Sequence, residues 1–325
     1  GEINVIEKGY LGGKQGLNSA FQYGRTNGNV AGSTMKSGGS HGGRGAQAQY
    51  NSTGDSAVEY DSIVNPILPG GGGGTYYHTD AYVGSGGGGV VIISAANITV
   101  AGSILADGGD SLSTDVPKVY GGGGAGGTIN LTASATIDGA GTISAAGGYV
   151  NSYTGIAGGG GGRISITANT GSHSGTIAIN GDGNGSNPVL DGASGTIYEK
   201  YSSNTYGDLS LNNTDNANAK YYTSLVSPVT STDQLFDSGY AFDSVSVLNY
   251  AVLNIPATVH DTSDDDPFLF YSASCPVDND EIGSADVDSD GGEIVYDDTL
   301  NTEGLTSDYT CVEAVVPGID CSSNP

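Results

Sequence analysis

The sequence predicts an all-β protein. The expected architecture is a right-handed parallel β-helix (β-solenoid) with glycine-rich loop insertions, followed by an acidic C-terminal β/loop segment. Three observations carry this. Glycine supplies 57 of 325 residues, more than twice the usual share of about 7%. Each glycine costs a helix about 1 kcal/mol relative to alanine, so a helical protein is excluded. Apolar and polar residues alternate with period two in segments that recur along the chain, the pattern of strands with one buried face. The glycines also cluster in blocks instead of recurring every third residue, which excludes collagen.

The recurrent strands come first. Val90–Gly109, Thr128–Gly148 and Arg163–Gly181 align. Val91, Ile129 and Ile164 correspond, as do Ile93, Leu131 and Ile166, and then Ala95, Ala133 and Ala168. Further on, Ile104, Ile143 and Ile177 match. One such unit cannot bury its apolar stripe alone, but stacked units can. Three short strands separated by small-residue bends are expected to make a coil of about 20 residues, with neighbouring coils ~4.8 Å apart.

Between the coils lie segments 70–89, 110–127 and 149–162, with the blocks Gly70–Gly74, Gly86–Gly89, Gly121–Gly124 and Gly158–Gly162. Insertions leaving one corner of the solenoid are expected to be loops. A sharper expectation is that they stack as extended polyglycine strands, because without Cβ the backbones approach closely. Tyr76, Tyr77, Tyr82, Tyr120, Tyr149 and Tyr153 would cover that layer.

Composition changes near residues 200–220. Residues 1–200 hold 50 of the 57 glycines, whereas 221–325 hold 20 of the 35 acids and no Lys or Arg. The expected organisation is a glycine-rich β-helix over 1–206, continuing or terminal coils over 207–260, and an acidic Cys-containing segment over 261–325.

The order of segments resembles the glycine-rich β-helix modules of large bacterial extracellular, adhesin-like surface proteins. The opening Ile3–Gly13 is similar to their first coil. Gly38-Gly-Ser-His-Gly-Gly-Arg-Gly45 and Pro66-Ile-Leu-Pro-Gly70 with the glycines after it resemble their next two segments, and the coils quoted above follow. Gly195-Thr-Ile-Tyr198 and Tyr206–Leu211 resemble the module's exit, with Phe242–Val247 and Ala251–Pro256 as later coils. The resemblance implies an exported, repetitive, non-enzymatic β-helix. It extends to about residue 260 and implies no ligand.

Net charge is −26, with nine Lys and Arg. Nucleic acid, which needs a basic footprint, is excluded as a partner. No apolar run approaches the ~20 residues of a membrane-spanning helix. An acidic, Lys-poor chain rich in Ser, Thr, Asn and Tyr suits an extracellular or cell-surface location after signal removal. Cys275, Cys311 and Cys321 form an odd set, which allows one disulfide and one remaining thiol.

The C-terminal segment has the most chemical character. Asp278, Asp280, Asp286, Asp288, Asp290 and Asp297 are candidate Ca²⁺ ligands, because alternating Asp with a glycine turn supplies the hard oxygens that Ca²⁺ takes. Asp297 stands twelfth from Asp286, where an EF-hand uses Glu, and helix-forming flanks are lacking. The alternative is a solvated acidic tail. His41 and Arg44, between glycines, are expected in a surface loop. Gly122-x-Gly-x-x-Gly127 has the spacing of a dinucleotide fingerprint but precedes a strand, so it is rejected. Asn51, Asn97, Asn130, Asn184 and Asn212 begin N-x-S/T sequences.

The expected function is a non-enzymatic extracellular structural protein. It would be a surface or filament subunit, with head-to-tail assembly through the strand-like Ile3–Ile6. The alternative is a cell-surface adhesin or carbohydrate-binding module. A polysaccharide lyase or hydrolase on the same fold ranks last, because few charged residues occupy the coils.

Overall fold

The computed structural model describes residues 1–256 apart from 20, 49–53, 77–82, 112–120, 151–154, 183–189, 214–220, 222 and 225–239, and beyond these the strands 269–270 and 293–297. The described residues are nearly all β, and stacked parallel strands form a β-solenoid of about three turns.

Each turn uses two strands. The long ones are β4 (Val90–Thr99), β6 (Thr128–Gly139) and β8 (Arg163–His173); the short ones are β5 (Ser103–Leu105), β7 (Thr142–Ser144) and β9 (Thr176–Ala178). The remaining strands are β1 (Glu2–Asn4), β2 (Arg25–Thr26), β3 (Val30–Ala31), β10 (Thr196–Lys200), β11 (Asp208–Asn212), β12 (Thr223–Ser224), β13 (Tyr240–Ala241), β14 (Ser244–Leu248), β15 (Val252–Pro256), β16 (Leu269–Phe270) and β17 (Glu293–Asp297). The long sheet runs β14-β11-β10-β8-β6-β4 and the short sheet β1-β5-β7-β9.

The register is the one the alternation predicts. Val91, Ile129, Ile164 and Ile197 lie in one row, and Ile3, Ile104, Ile143 and Ile177 in another. Buried Ile, Leu, Val and Ala from both sheets form one core with Ile98, Val100 and Ile137. Bulges after Ala95 and Ala133 let the longer strands keep register.

The expected 20-residue coil of three short strands is not what forms. Val90, Thr128, Arg163 and Thr196 occupy one row, so the turns contain 38, 35 and 33 residues. The glycine blocks are therefore no insertions. They are the third side of each turn, running out from the short strand and back to the next long one.

These glycine legs do stack, but not as β-strands. Gly70 and Gly73 donate to the carbonyls of Gly88 and Ser85, Gly71 and Gly74 to Ser40 and Ser37, and Gly72 and Thr75 to Arg25 and Gln22. Residues three apart thus share a neighbour. Gly122 and Ala125 likewise donate to Gly74 and Gly71, while Gly123 and Gly126 donate to Ala157 and Gly160. In the next leg Gly158 and Gly161 face Leu190 and Ala193, and Gly159 and Gly162 face Gly148 and Ala145. A period of three is that of the polyproline II helix, which forms no internal hydrogen bonds and offers every N–H to a neighbour. A β-strand, with period two, could bond only two neighbours; these legs each bond three. Glycine is needed here for proximity: a Cβ on Gly160 or Gly126 would lie well under 3.0 Å from a backbone carbonyl of the adjacent leg.

After β10 the chain reverses. β11 pairs antiparallel with β10, and β14 then pairs parallel with β11, burying Leu209, Leu211, Val245 and Val247. Further parallel pairs, β12–β15, β15–β17 and β13–β16, follow. Gly207, at φ +102°, makes the reversal beneath the ring of Tyr198, whose hydroxyl donates to the Tyr206 carbonyl.

Candidate functional site

Two regions stand out among the described residues. The first is a buried ionisable cluster where the glycine layer meets the outer face of the long sheet. Segment 57–69 straps that face. Asn130 Nδ2 donates to Asn65 Oδ1 at 2.8 Å, Ser165 Oγ to the Val64 carbonyl at 2.7 Å and Thr128 Oγ1 to the Leu68 carbonyl at 2.7 Å.

His41 is 0% exposed and Asp61 3% exposed. This corrects the surface-loop expectation for His41. Its Nδ1 lies 2.9 Å from the Gly126 carbonyl oxygen and its Nε2 3.3 Å from Asp61 Oδ2. Both neighbours are hydrogen-bond acceptors. Asp61 sits at φ +75° and accepts the N–H groups of Ser62, Ile67 and Leu68. Burial pushes its carboxyl up. The hydrogen bond and charge of His41, the Leu68 N–H and the Arg163 guanidinium outweigh that and hold it below its ordinary value.

Arg163 is fully buried at the start of β8. Its Nε donates to the Tyr60 carbonyl at 3.0 Å and its Nη1 to Thr196 Oγ1 at 2.9 Å. Burial raises the Glu59 carboxyl, against which the charges of Arg44 and Arg163 act. Tyr60, whose ring centre lies 4.9 Å from that of His41 at a tilt of 46°, donates its hydroxyl to the Pro69 carbonyl. The cluster thus clamps the strap to the glycine layer and the sheet. His41, Glu59, Tyr60, Asp61 and Arg163 are all buried, and the geometry assigns the cluster to architecture.

The spacing held a signal for this. In a three-residue helix, positions three apart face the same way. His41 and Arg44 are so spaced, and both are directed at the strap carrying Glu59, Tyr60 and Asp61. Read as a loop, the segment shows nothing of the kind.

The second region is one edge of the glycine layer. Backbone hydrogen bonds join neighbouring stretches there: Gly121 donates to Val83, Ser111 to Tyr149, Gly74 to Ser37, Gly158 to Leu190 and Thr75 to Gln22. Of the tyrosines expected to cover the layer, Tyr149 is exposed at this edge and Tyr76 half-buried; Tyr77, Tyr82, Tyr120 and Tyr153 lie outside the described residues.

The edge also carries an aromatic and cationic rim. The Arg25 guanidinium lies 4.6 Å from the Phe21 ring centre and 5.1 Å from that of Tyr23, and these two rings stack at 5.1 Å. Lys36 Nζ stands 5.0 Å over Tyr76. Leu17, beside them, is 97% exposed.

The candidate Ca²⁺ ligands Asp278, Asp280, Asp286, Asp288 and Asp290 lie outside the described residues, as do Cys275, Cys311 and Cys321; Asp297 is the last residue of β17. Among the described residues no group of three or more His, Cys, Asp or Glu could hold a metal ion, and no helix is long and apolar enough to cross a membrane. The Gly122–Gly127 segment leads into β6. Comparison with protein-family models, curated proteins and solved structures gave no match.

Proposed function

We propose that the chain is a non-enzymatic extracellular scaffold, a β-solenoid surface protein whose stiff glycine layer offers one edge for contact. The hydrogen bonds that join neighbouring legs along that edge carry this reading. A repeat protein commonly binds through one face of its stacked units. Each glycine leg is fixed by hydrogen bonds to three neighbours, so the edge residues are held in a set spacing. The contact partner under this reading is a glycan or another component of a cell surface.

The test is binding of the full chain to glycan arrays and to isolated cell envelopes. Replacing 112–120 by a Gly-Ser segment of equal length should abolish binding with an unchanged melting temperature. Retained binding, or cleavage of the polysaccharide, overturns the reading.

A second reading, end-to-end assembly into a filament, is favoured by one observation. β4 and β1 are end strands of their sheets, and each exposes an isoleucine, Ile92 (57%) and Ile3 (43%). Open strand edges template pairing. Ile92→Lys should then lower the sedimenting mass of the native protein.

A further inference from the structure

Charge is distributed unevenly along the chain. Residues 1–48 hold five of the nine Lys and Arg against two acids, Glu2 and Glu7, in a chain of net charge −26. Two of these cations, Arg25 and Lys36, stand on aromatic rings at the edge of the glycine layer. Leg 70–75 joins their segments: Gly72 and Thr75 donate to the carbonyls of Arg25 and Gln22, and Gly71 and Gly74 to those of Ser40 and Ser37.

Both cations are held in place without being neutralised. Arg25 donates from Nε to Asn18 Oδ1 at 2.8 Å and from Nη1 to the Asn29 carbonyl at 3.0 Å. A guanidinium has three further N–H groups to offer. Asn18 is itself fixed, 1% exposed, with its Nδ2 donating to the Gly12 and Tyr23 carbonyls. Among the described residues no carboxylate pairs with Arg25 or Lys36. Burial holds the Lys36 ammonium below its ordinary value, the direction opposite to that of a lysine beside an acid.

The turn that carries Lys36 is a second, independent observation. The Ser37 N–H donates to the Thr34 carbonyl across Met35 and Lys36, which sit at φ +47° and +69°. Two left-handed residues in a tight turn are normally Asn-Gly or Gly-Gly. This chain has 57 glycines and places none at either position. Left-handed backbone in non-glycine residues clusters at ligand clamps and active sites. Here the strained turn sets the Lys36 ammonium over Tyr76.

We infer that the rim of Phe21, Tyr23, Arg25, Tyr76 and Lys36 binds a uronate-bearing glycan, with Arg25 and Lys36 on the carboxylates of its sugar rings and Phe21 against the C–H face of a ring. The inference rests on the scaffold reading and names the class of its ligand. A guanidinium takes a carboxylate through paired N–H groups, and an ammonium takes it as a point charge. Aromatic rings give a flat apolar wall beside such polar groups. Phe21 is 40% exposed and Leu17, next to it, 97%. A neutral glycan would leave both cations without a partner, and a flexible acidic peptide presents no flat face to the rings. A glycan with a carboxylate on successive sugars engages both cations at once, which raises affinity beyond that of either contact.

The test is calorimetric titration of the native full chain with three probes. These are a short alginate oligosaccharide, the same oligosaccharide with its carboxylates reduced to alcohols, and poly-glutamate of similar length. Alginate should bind most tightly of the three. Arg25→Gln and Lys36→Gln should each weaken it about tenfold, the loss of one charged hydrogen bond. Phe21→Ser should weaken alginate and leave poly-glutamate unchanged. Raising salt from about 0.1 to 1 M shortens the screening length from ~10 to ~3 Å and should weaken alginate binding to the wild type, a series that stands if a variant misfolds. Equal binding of the reduced oligosaccharide, or alginate binding unchanged in both charge variants, overturns the inference. Poly-glutamate bound as tightly as alginate overturns it in favour of an acidic peptide. Alginate left unbound while arrays or envelopes are bound overturns this inference alone; silence of all three overturns the scaffold reading with it.

Discussion

His41 Nε2 and Asp61 Oδ2 meet at 3.3 Å in the interior, 20 residues apart in sequence and both closed to solvent. The pair joins two layers of different geometry. His41 belongs to a glycine leg of period three, and Asp61 to the strap across sheet strands of period two. Its second nitrogen reaches Gly126, and Asp61 organises the turn that leads to Leu68. Removing either partner therefore uncouples the strap from the layer.

His41→Ala takes one hydrogen-bond partner from the buried Asp61 carboxylate, which costs about 1–3 kcal/mol or more for a charged group. Urea unfolding should show that loss. The double variant with Asp61→Asn should cost less than the sum of the singles, because the groups act as one unit. Additive losses would show that the pair is not coupled.

The glycine layer makes a position-specific prediction. Gly160→Ala would drive a methyl into the Gly43 carbonyl, with backbone on both sides and no side chain to move aside. Overpacking of this kind costs about 1–3 kcal/mol or more. Gly16 has open space around it but φ +46°, so Gly16→Ala should cost about 1–2 kcal/mol from backbone conformation alone. Thermal melts should rank Gly160→Ala as the more damaging. The reverse ranking would mean that the legs do not touch.

Much of the solenoid is legible in the sequence because its strands follow a two-residue period. Val91, Ile129 and Ile164 align by eye and fall in one row. The glycine legs are legible only as a stacked layer. A run such as Gly70–Gly74 has no side chains from which a period could be read, so the three-residue repeat emerges only in the hydrogen bonds. That is also why the turn length was not legible: the blocks read as insertions, although they form a full side of each turn. His41 and Asp61 were hidden for a related reason, since polar residues among glycines resemble a solvated loop until a layer covers them. The rim of Phe21, Tyr23 and Arg25 depends on a tight turn that no periodicity marks.

The N-x-S/T sequences separate by burial. Asn130 is 5% exposed and donates to Asn65 and the Pro66 carbonyl, whereas Asn97 lies exposed on the end strand β4. If the protein is made in a host that glycosylates such sequences, Asn97 should carry glycan in folded material and Asn130 should not. Peptide mapping by mass spectrometry decides this. Glycan on Asn130 in protein of native stability would contradict the position of the strap.

The buried carboxyls should give opposite slopes in the acid range. Asp61 titrates below its ordinary 3.8 when folded, so its contribution is complete above 3.8 and disappears as pH falls through the lower folded value. Glu59 titrates above its ordinary 4.5, chiefly because burial disfavours its charge. Its contribution is therefore present below 4.5 and disappears as pH rises through the higher folded value. Asp107 behaves as Glu59 does: burial raises it, although Ser144 and the Ala146 N–H oppose the shift. Chemical unfolding of Asp61→Asn and Glu59→Gln from pH 2 to 7 separates the two. Relative to the wild type, Asp61→Asn should flatten the loss of stability below pH 4. Glu59→Gln should instead remove a decline that begins above pH 4.5. A Glu59→Gln curve parallel to wild type over that whole range would mean that Glu59 is not held in a desolvated site.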